Sequence, residues 1–322
     1  MSTAIQRKSD SLKPAVDKSG FKYRFVRDAK INKYVYLMLL PVVVYYVVFY
    51  YVPMYGLQIA FKDYSPGLGF LHSDWVGLKH FKDFFGSHYF SRILRNTLLI
   101  SLYELLFTFP ASIVLALLLN ELRSAMLKRT VQTITYMPHF ISIVVVSGML
   151  IDFLARDGLV NNLLGSWFGA QPIAFLQESG WFRFVFISSN IWQNIGWGSI
   201  IYLSAMAGID PSLYEAARVD GASRLRQTFH ITLPGIMPTV VILLILQIGN
   251  FMSVGADKIL LLYNPTTYET ADVIGTFVYR KGILESNFSY SAAVGLFNSL
   301  INFTLLLSAN ALSRRTSDHK LW

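Results

Sequence analysis

Apolar residues gather along this chain into six runs, near residues 34–56, 94–119, 130–154, 181–206, 234–256 and 290–312, parted by polar and charged stretches. A helix rising 1.5 Å per residue needs roughly 20 residues to cross about 30 Å of hydrocarbon, and each run reaches that length. The pattern predicts an all-α polytopic membrane protein with six transmembrane helices. Six such lengths argue against buried helices of a soluble core. Pro41 and Pro53 fall in the first run, where neighbouring helices in a bilayer satisfy the carbonyls that proline frees.

Composition agrees, since 53% of the 322 residues are hydrophobic and only 15% charged, too few charges for a water-facing globular surface. The net charge of +9 belongs to the membrane reading, because basic residues flank the runs and none is tied to a soluble fold that would bind nucleic acid. Residues 1–33 form a basic leader with Arg7, Lys8, Lys13, Lys18, Lys22, Arg24, Arg27, Lys30 and Lys33. The apolar run after it is too long for a cleavable signal core. With that leader, the loops holding Arg123, Lys128, Arg129, Arg218, Arg224 and Arg226, and the tail at 313–322 holding Arg314, Arg315 and Lys320, one side carries eighteen basic residues against ten. The positive-inside rule then predicts both termini on the cytoplasmic side. Without cysteine the chain has no disulfide, thiolate nucleophile or cysteine-ligated metal. Among the external stretches, Lys79 to Asn96 sets Phe81, Phe84 and Phe85 on one side of a short helix. Such a helix lies at the membrane interface or rests on the protein.

Polar side chains inside spans are costly and face a bundle interior or a wet cavity. In the fourth run Asn190, Gln193, Asn194 and Trp197 share one helical face, Gln247, Asn250, Phe251 and Val254 repeat that spacing in the fifth, and Asn298 and Asn302 stand one turn apart in the sixth. Amides that bond hydroxyls, with aromatics that stack on sugar rings, are the chemistry a saccharide path needs. The same amides would equally serve to tie helices together. Glu104, in the middle of the second run, reads as a neutral or hydrogen-bonded packing group. His139, after Pro138, has no second histidine or carboxylate at metal-ligand spacing.

The loop at 209–233 between the fourth and fifth runs has clear helix punctuation. Asp210 suits a helix cap, Pro211 the first helical position and Gly221 the left-handed residue that ends a helix. A short helix is predicted from about 211 to 219, and Ser223 would cap the next. It offers small residues, Ala216 and Ala217, beside Glu215, as a docking knob would; an ordinary connecting loop is the alternative.

Glu215-Ala216-Ala217 with Asp220-Gly221-Ala222, then Ile231, Leu233 and Pro234 at the required distance, resembles the EAA loop of binding-protein-dependent ABC importer permeases of the carbohydrate, maltose-like type. Further stretches ending at Pro41, Asp63, Arg123 and Ser142, and Gly196 to Tyr202, are similar to the branch serving polysaccharide-derived oligosaccharides, alginate-oligosaccharide importers included. The resemblance implies a type I importer permease fold over residues 34–312. It implies that the loop is a coupling helix seated in a cytoplasmic ATPase, with Glu215, Ala216, Ala217, Asp220 and Gly221 at the contact. It implies that Asn190, Gln193, Asn194, Trp197, Gln247, Phe251 and Val254 fall where such permeases meet sugar, although Phe251 and Val254 depart from the family's residue types. The partners it implies are a second homologous permease subunit, two ATPase subunits that bind ATP and Mg, an extracytoplasmic solute-binding protein and an oligosaccharide substrate. No cofactor or metal is expected in this chain.

The chain has no G-x-x-x-x-G-K-[ST] phosphate loop, so the energy must come from a partner. A secondary transporter would call for internal repeats and paired intramembrane ionisable groups, and beyond Glu104 and Asp152 the runs offer few. An intramembrane enzyme would need a nucleophile with its base, or a metal set, and neither is evident.

Overall fold

The computed structural model describes residues 21–316. Most of the basic leader and the end of the tail lie outside the described residues. Compact packing divides the chain between Leu57 and Gln58. The first unit contains α1 (Phe21–Ile31) and most of α2 (Lys33–Phe61), whose apolar side chains are exposed along the helix.

The second unit opens with a two-stranded antiparallel pair, β1 (Lys62–Asp63) and β2 (Asp74–Trp75). Helices follow: α3 (Lys79–Phe85), α4 (Phe90–Glu121), α5 (Ala125–Phe140), α6 (Ile143–Phe153), α7 (Leu159–Phe168), α8 (Ser179–Ala207), α9 (Pro211–Val219), α10 (Arg224–Gly249), α11 (Ala256–Leu262), α12 (Ile274–Tyr279) and α13 (Phe288–Thr316).

Four helices, α2, α4, α10 and α13, are long and apolar enough to cross a membrane. The expected third span is two helices, α5 and α6, bent by 98°. Pro138 sits in the turn before the bend, and the Ser142 hydroxyl accepts the Val144 N–H to start α6. The length- and composition-based count therefore reaches five, not six. The sixth candidate, α8, has 29 residues, about 43 Å of helix. Its serines, amides and Arg183 dilute its hydropathy. Part of α8 is nevertheless covered by its neighbours, where Phe182, Phe186, Gln193, Gly196, Ser199 and Tyr202 are all buried.

Prolines shape the spans. Three π-helical turns, Val47–Tyr51, Glu104–Thr108 and Thr228–Thr232, each end two residues before a proline: Pro53, Pro110 and Pro234. A proline ring crowds the carbonyl four residues back and gives it no N–H, so the preceding turn widens. Pro41 and Pro238 sit inside helices with no such turn.

The core has three parts. Ala116, Tyr202, Met206 and Ile236 join α4, α8 and α10 near the α9 end. Ile100, Phe182, Phe186 and Ile259 form a second cluster toward the other end, and Phe84, Ile93, Met252, Phe277 and Val294 a third. Phe84 is 1% exposed and meets Phe297 and Tyr290 edge-on, so α3 rests on the protein. Gly196 lets α8 approach α5, because a Cβ there would collide with the Thr135 carbonyl.

Candidate functional site

The fifth span stops short. Gln247 and Asn250, at the end of α10, line one cavity with Asn190, Asn194 and Trp197 from the middle of α8. The end of one helix is thus level with the middle of the other. From there residues 250–255 run as irregular chain, α11 follows, and the segment beyond it lies along the start of α8. Asn264 Nδ2 donates to the Leu176 carbonyl at 2.7 Å, and the Thr270 hydroxyl to that of Ser179 at 2.6 Å.

Irregular backbone at membrane depth must find its hydrogen bonds in protein. Asn302 Oδ1 accepts the Met252 N–H at 2.8 Å, Asn302 Nδ2 donates to Ser253 Oγ at 2.9 Å, and the Ser101 hydroxyl donates to the Phe251 carbonyl. Asn302 therefore holds the break together. The Phe251 ring packs beside the cluster of Met252 and Phe277, and Val254 is buried beside Phe186. Gln193 is buried and does not line the cavity, its Nε2 donating instead to the Ile141 carbonyl at the α5–α6 bend. Asn298 has a buried side-chain oxygen without a hydrogen-bond partner and is not among the cavity's lining residues.

The cavity has a volume of about 390 Å³, and its wall also includes Glu104, Thr108, Ser112 and Tyr202. Trp197 lies parallel to His139, with ring centroids 4.6 Å apart and planes 4° apart. His139 Nδ1 lies 3.1 Å from Asn194 Oδ1, and Asn194 Nδ2 donates to the Asn190 carbonyl. Asn190 Nδ2 donates to Glu104 Oε1 at 2.7 Å, while Lys258 Nζ donates to Asn190 Oδ1 at 2.8 Å. Glu104 is thus hydrogen-bonded, as expected, but it is not alone: an ammonium stands one amide away. By sequence Lys258 counts only as one of the ten basic residues on the external side. The signal that could have singled it out is a lysine directly before the apolar Ile259–Leu262. A larger hollow of about 590 Å³ between α6, α7 and α8 is walled chiefly by Leu150, Phe175, Trp181, Phe184 and similar side chains. Its two serine hydroxyls bond back to their own helix, so it offers little to a polar solute.

At one end of the bundle stands α9, built as the punctuation predicts. Asp210 Oδ1 accepts the Ser212 N–H at 2.9 Å, and Pro211 takes the first turn. Hydrogen bonding from Ser212, through its backbone N–H first and its hydroxyl second, holds the Asp210 carboxyl below the ordinary aspartate range. Asp220 closes the helix, Gly221 is left-handed at φ 73°, and the Ala222 N–H returns to the Ala217 carbonyl at 2.8 Å. Ser223 caps α10 through the Arg226 N–H. Glu215 and Ala216 are exposed and Ala217 half-buried, beside exposed Leu213 and Val219. Gln227 Nε2 donates to the Ala222 carbonyl, and Arg224 pairs with Glu121 at 3.7 Å. The loops after α4 and after α8 therefore share one end.

The opposite end is tied by charge. Buried Asp272 accepts from Arg280 at 2.7 Å and from Arg92 at 3.3 Å. Burial alone would lower the Arg280 pKa, but the hydrogen bond and charge of Asp272 outweigh it and raise it. Asn96 Nδ2 reaches the carbonyls of Glu269 and Asp272, and its Oδ1 accepts from Arg183.

A multi-span bundle with an amide-lined cavity at a helix break and a capped helix at one end is the architecture of a transport permease. Residues 108–318 match the binding-protein-dependent transport system inner membrane component family. The chain belongs to that family and is an ABC importer permease subunit of the inner membrane. It is 46% identical to Protein LplB of Bacillus subtilis (strain 168), over 91% of this chain and 92% of that one. It is 45% identical to the polygalacturonan/rhamnogalacturonan transport system permease protein YteP of the same organism, over 96% and 98%. A bacterial ABC transporter involved in the import of the acidic polysaccharide alginate contains a chain that aligns with a TM-score of 0.84 and 46% identity, over 91% of this chain and 99% of that one. A bacterial alginate ABC transporter in complex with an alginate pentasaccharide-bound periplasmic protein gives 0.86 and 44%, over 92% and 100%.

Proposed function

We propose that this chain passes an acidic oligosaccharide, received from an extracytoplasmic solute-binding protein, through the amide-lined cavity by alternating access driven by separate ATPase subunits. The observation that carries the reading is that α10 serves both sites. Its foot holds α9 through a hydrogen bond between Tyr214 and Thr232, 2.9 Å, and its far end brings Gln247 and Asn250 to the cavity. Movement imposed on α9 is delivered to the cavity wall along a single helix. In this reading Glu215, Ala216, Ala217, Asp220 and Gly221 meet an ATPase that binds ATP and Mg, two such ATPases close together, and a second homologous permease completes the path. Both termini, with the leader at 1–33 and the tail at 313–322, are cytoplasmic. Asn190, Asn194, Trp197, Gln247 and Asn250 meet the sugar, while Gln193, Phe251, Asn298 and Asn302 stand outside the lining.

Acidic cargo is supported by YteP, named for polygalacturonan and rhamnogalacturonan, and by the alginate importer structures. Uptake of labelled oligouronides into vesicles holding the whole complex, with and without the ATPase subunits, tests the mechanism. Uptake should require ATP and both ATPases, and uptake that persists without them would reject it.

A further inference from the structure

The cavity wall poses an electrostatic problem for the proposed cargo. Glu104 is the only carboxylate among the described residues that line it, and whenever it is ionised its charge, in a confined space, repels an anionic sugar. Buried Lys258 answers it. Its side chain is 2% exposed, with Nζ 2.8 Å from Asn190 Oδ1 and 5.9 Å from the Phe186 ring centroid. It forms no ion pair among the described residues, and the carboxylate it reaches is Glu104, across one amide. A buried ammonium needs a counter-charge.

We infer that Lys258 is a specificity-determining positioning residue, the buried counter-cation that cancels Glu104 through Asn190 and so lets the cavity accept an anionic saccharide. The two charges also fix the Asn190 amide, whose oxygen must face the ammonium and whose NH₂ must face the carboxylate. One N–H of Asn190 and the second oxygen of Glu104 then remain as an adjacent donor and acceptor, the pair a sugar hydroxyl uses. Lys258 lies on α11, just beyond the irregular stretch that follows α10, so the segment after α10 also sets the charge of the cavity.

The inference rests on the acidic-cargo reading, and one experiment separates the two. Uptake of an oligouronide and of its carboxyl-reduced, neutral counterpart is measured in proteoliposomes holding the complete importer and its binding protein. The ratio of the two is compared among wild type, Lys258→Met, Lys258→Arg, Glu104→Gln and the Lys258→Met/Glu104→Gln double variant. Lys258→Met should lower the uronide-to-neutral ratio about tenfold and Glu104→Gln should raise it. Lys258→Arg and the double variant should return it near the wild-type value. An unchanged ratio in an assembled Lys258→Met importer, or a double variant no better than Lys258→Met, would overturn the inference. Should Lys258→Met fail to assemble, Glu104→Gln decides, and an unchanged ratio there overturns it equally. A wild-type importer that takes up neither sugar, or only the neutral one, would instead sink the acidic-cargo reading.

Discussion

Tyr214 on α9 and Thr232 at the foot of α10 share a hydrogen bond 2.9 Å long, with Thr232 1% exposed. It crosses the turn at Gly221 and fastens the projecting helix to the span behind it. Tyr214→Phe keeps the ring and removes only this bond, about 1 kcal/mol of attachment. Uptake per ATP hydrolysed should fall while the subunits still copurify. Unchanged coupling would count against the proposed transmission of movement from α9 to α10.

Gly221 holds φ at 73°, where a β-branched side chain is strained by about 1–2 kcal/mol. No atom stands in the way of a Cβ, so backbone strain alone is at issue. Gly221→Val should weaken ATPase retention on affinity-purified permease and leave membrane insertion intact, whereas Gly221→Asn should be milder. Equal retention in both would show that the left-handed turn is dispensable for docking.

At Gly196 the constraint is space. Any side chain there meets the Thr135 backbone, so Gly196→Leu must push α8 from α5 at a cost of about 1–3 kcal/mol. The thermal midpoint of the detergent-purified complex should drop by several degrees, measured by tryptophan fluorescence. Gly148 supplies the control, because a Cβ added there would meet no atom within 4 Å. Gly148→Ala, favoured by helix propensity, should not lower the midpoint.

Asp272 takes charge from both Arg280 and Arg92 and is fully buried. Asp272→Ala leaves two guanidinium groups facing an empty place, a loss of about 3–5 kcal/mol. The segment between α11 and α12 should loosen from α8, read as faster hydrogen exchange over residues 264–280. Protection equal to wild type would assign the anchoring to Asn96 instead.

Trp197 stacks flat on His139 and is 45% exposed, so in the proposed path it would offer its free face to a sugar ring. Trp197→Ala should raise the KM for oligosaccharide uptake about tenfold, with Trp197→Phe intermediate. An unaltered KM would remove the ring from the cargo's path.

Much of this protein was legible in its residues. Repeated apolar runs of membrane-crossing length are the mark of a chain whose helices lie in lipid, so the membrane bundle followed from run length. The helix at 211–219 followed from Asp210, Pro211 and Gly221, because caps and positive φ are local demands that the chain meets within a few residues. The sharing of a face by Asn190, Asn194 and Trp197 followed from helical geometry, as did the pairing of Gln247 with Asn250.

What spacing could not decide was which of those polar groups a neighbour would claim. Gln193 shares the face of Asn194 in projection yet bonds the α5–α6 bend, and Asn302 is consumed by the broken backbone at Met252 and Ser253. The bend itself, the early end of α10 and the meeting of Lys258 with Glu104 across Asn190 join residues far apart in the chain. Local propensity acts over a turn or two, whereas buried polar groups are satisfied by whatever the packed bundle brings within about 3 Å. The sequence alone determined a membrane bundle and a capped helix at 211–219; tertiary packing decided where its cavity lies and which side chains wall it.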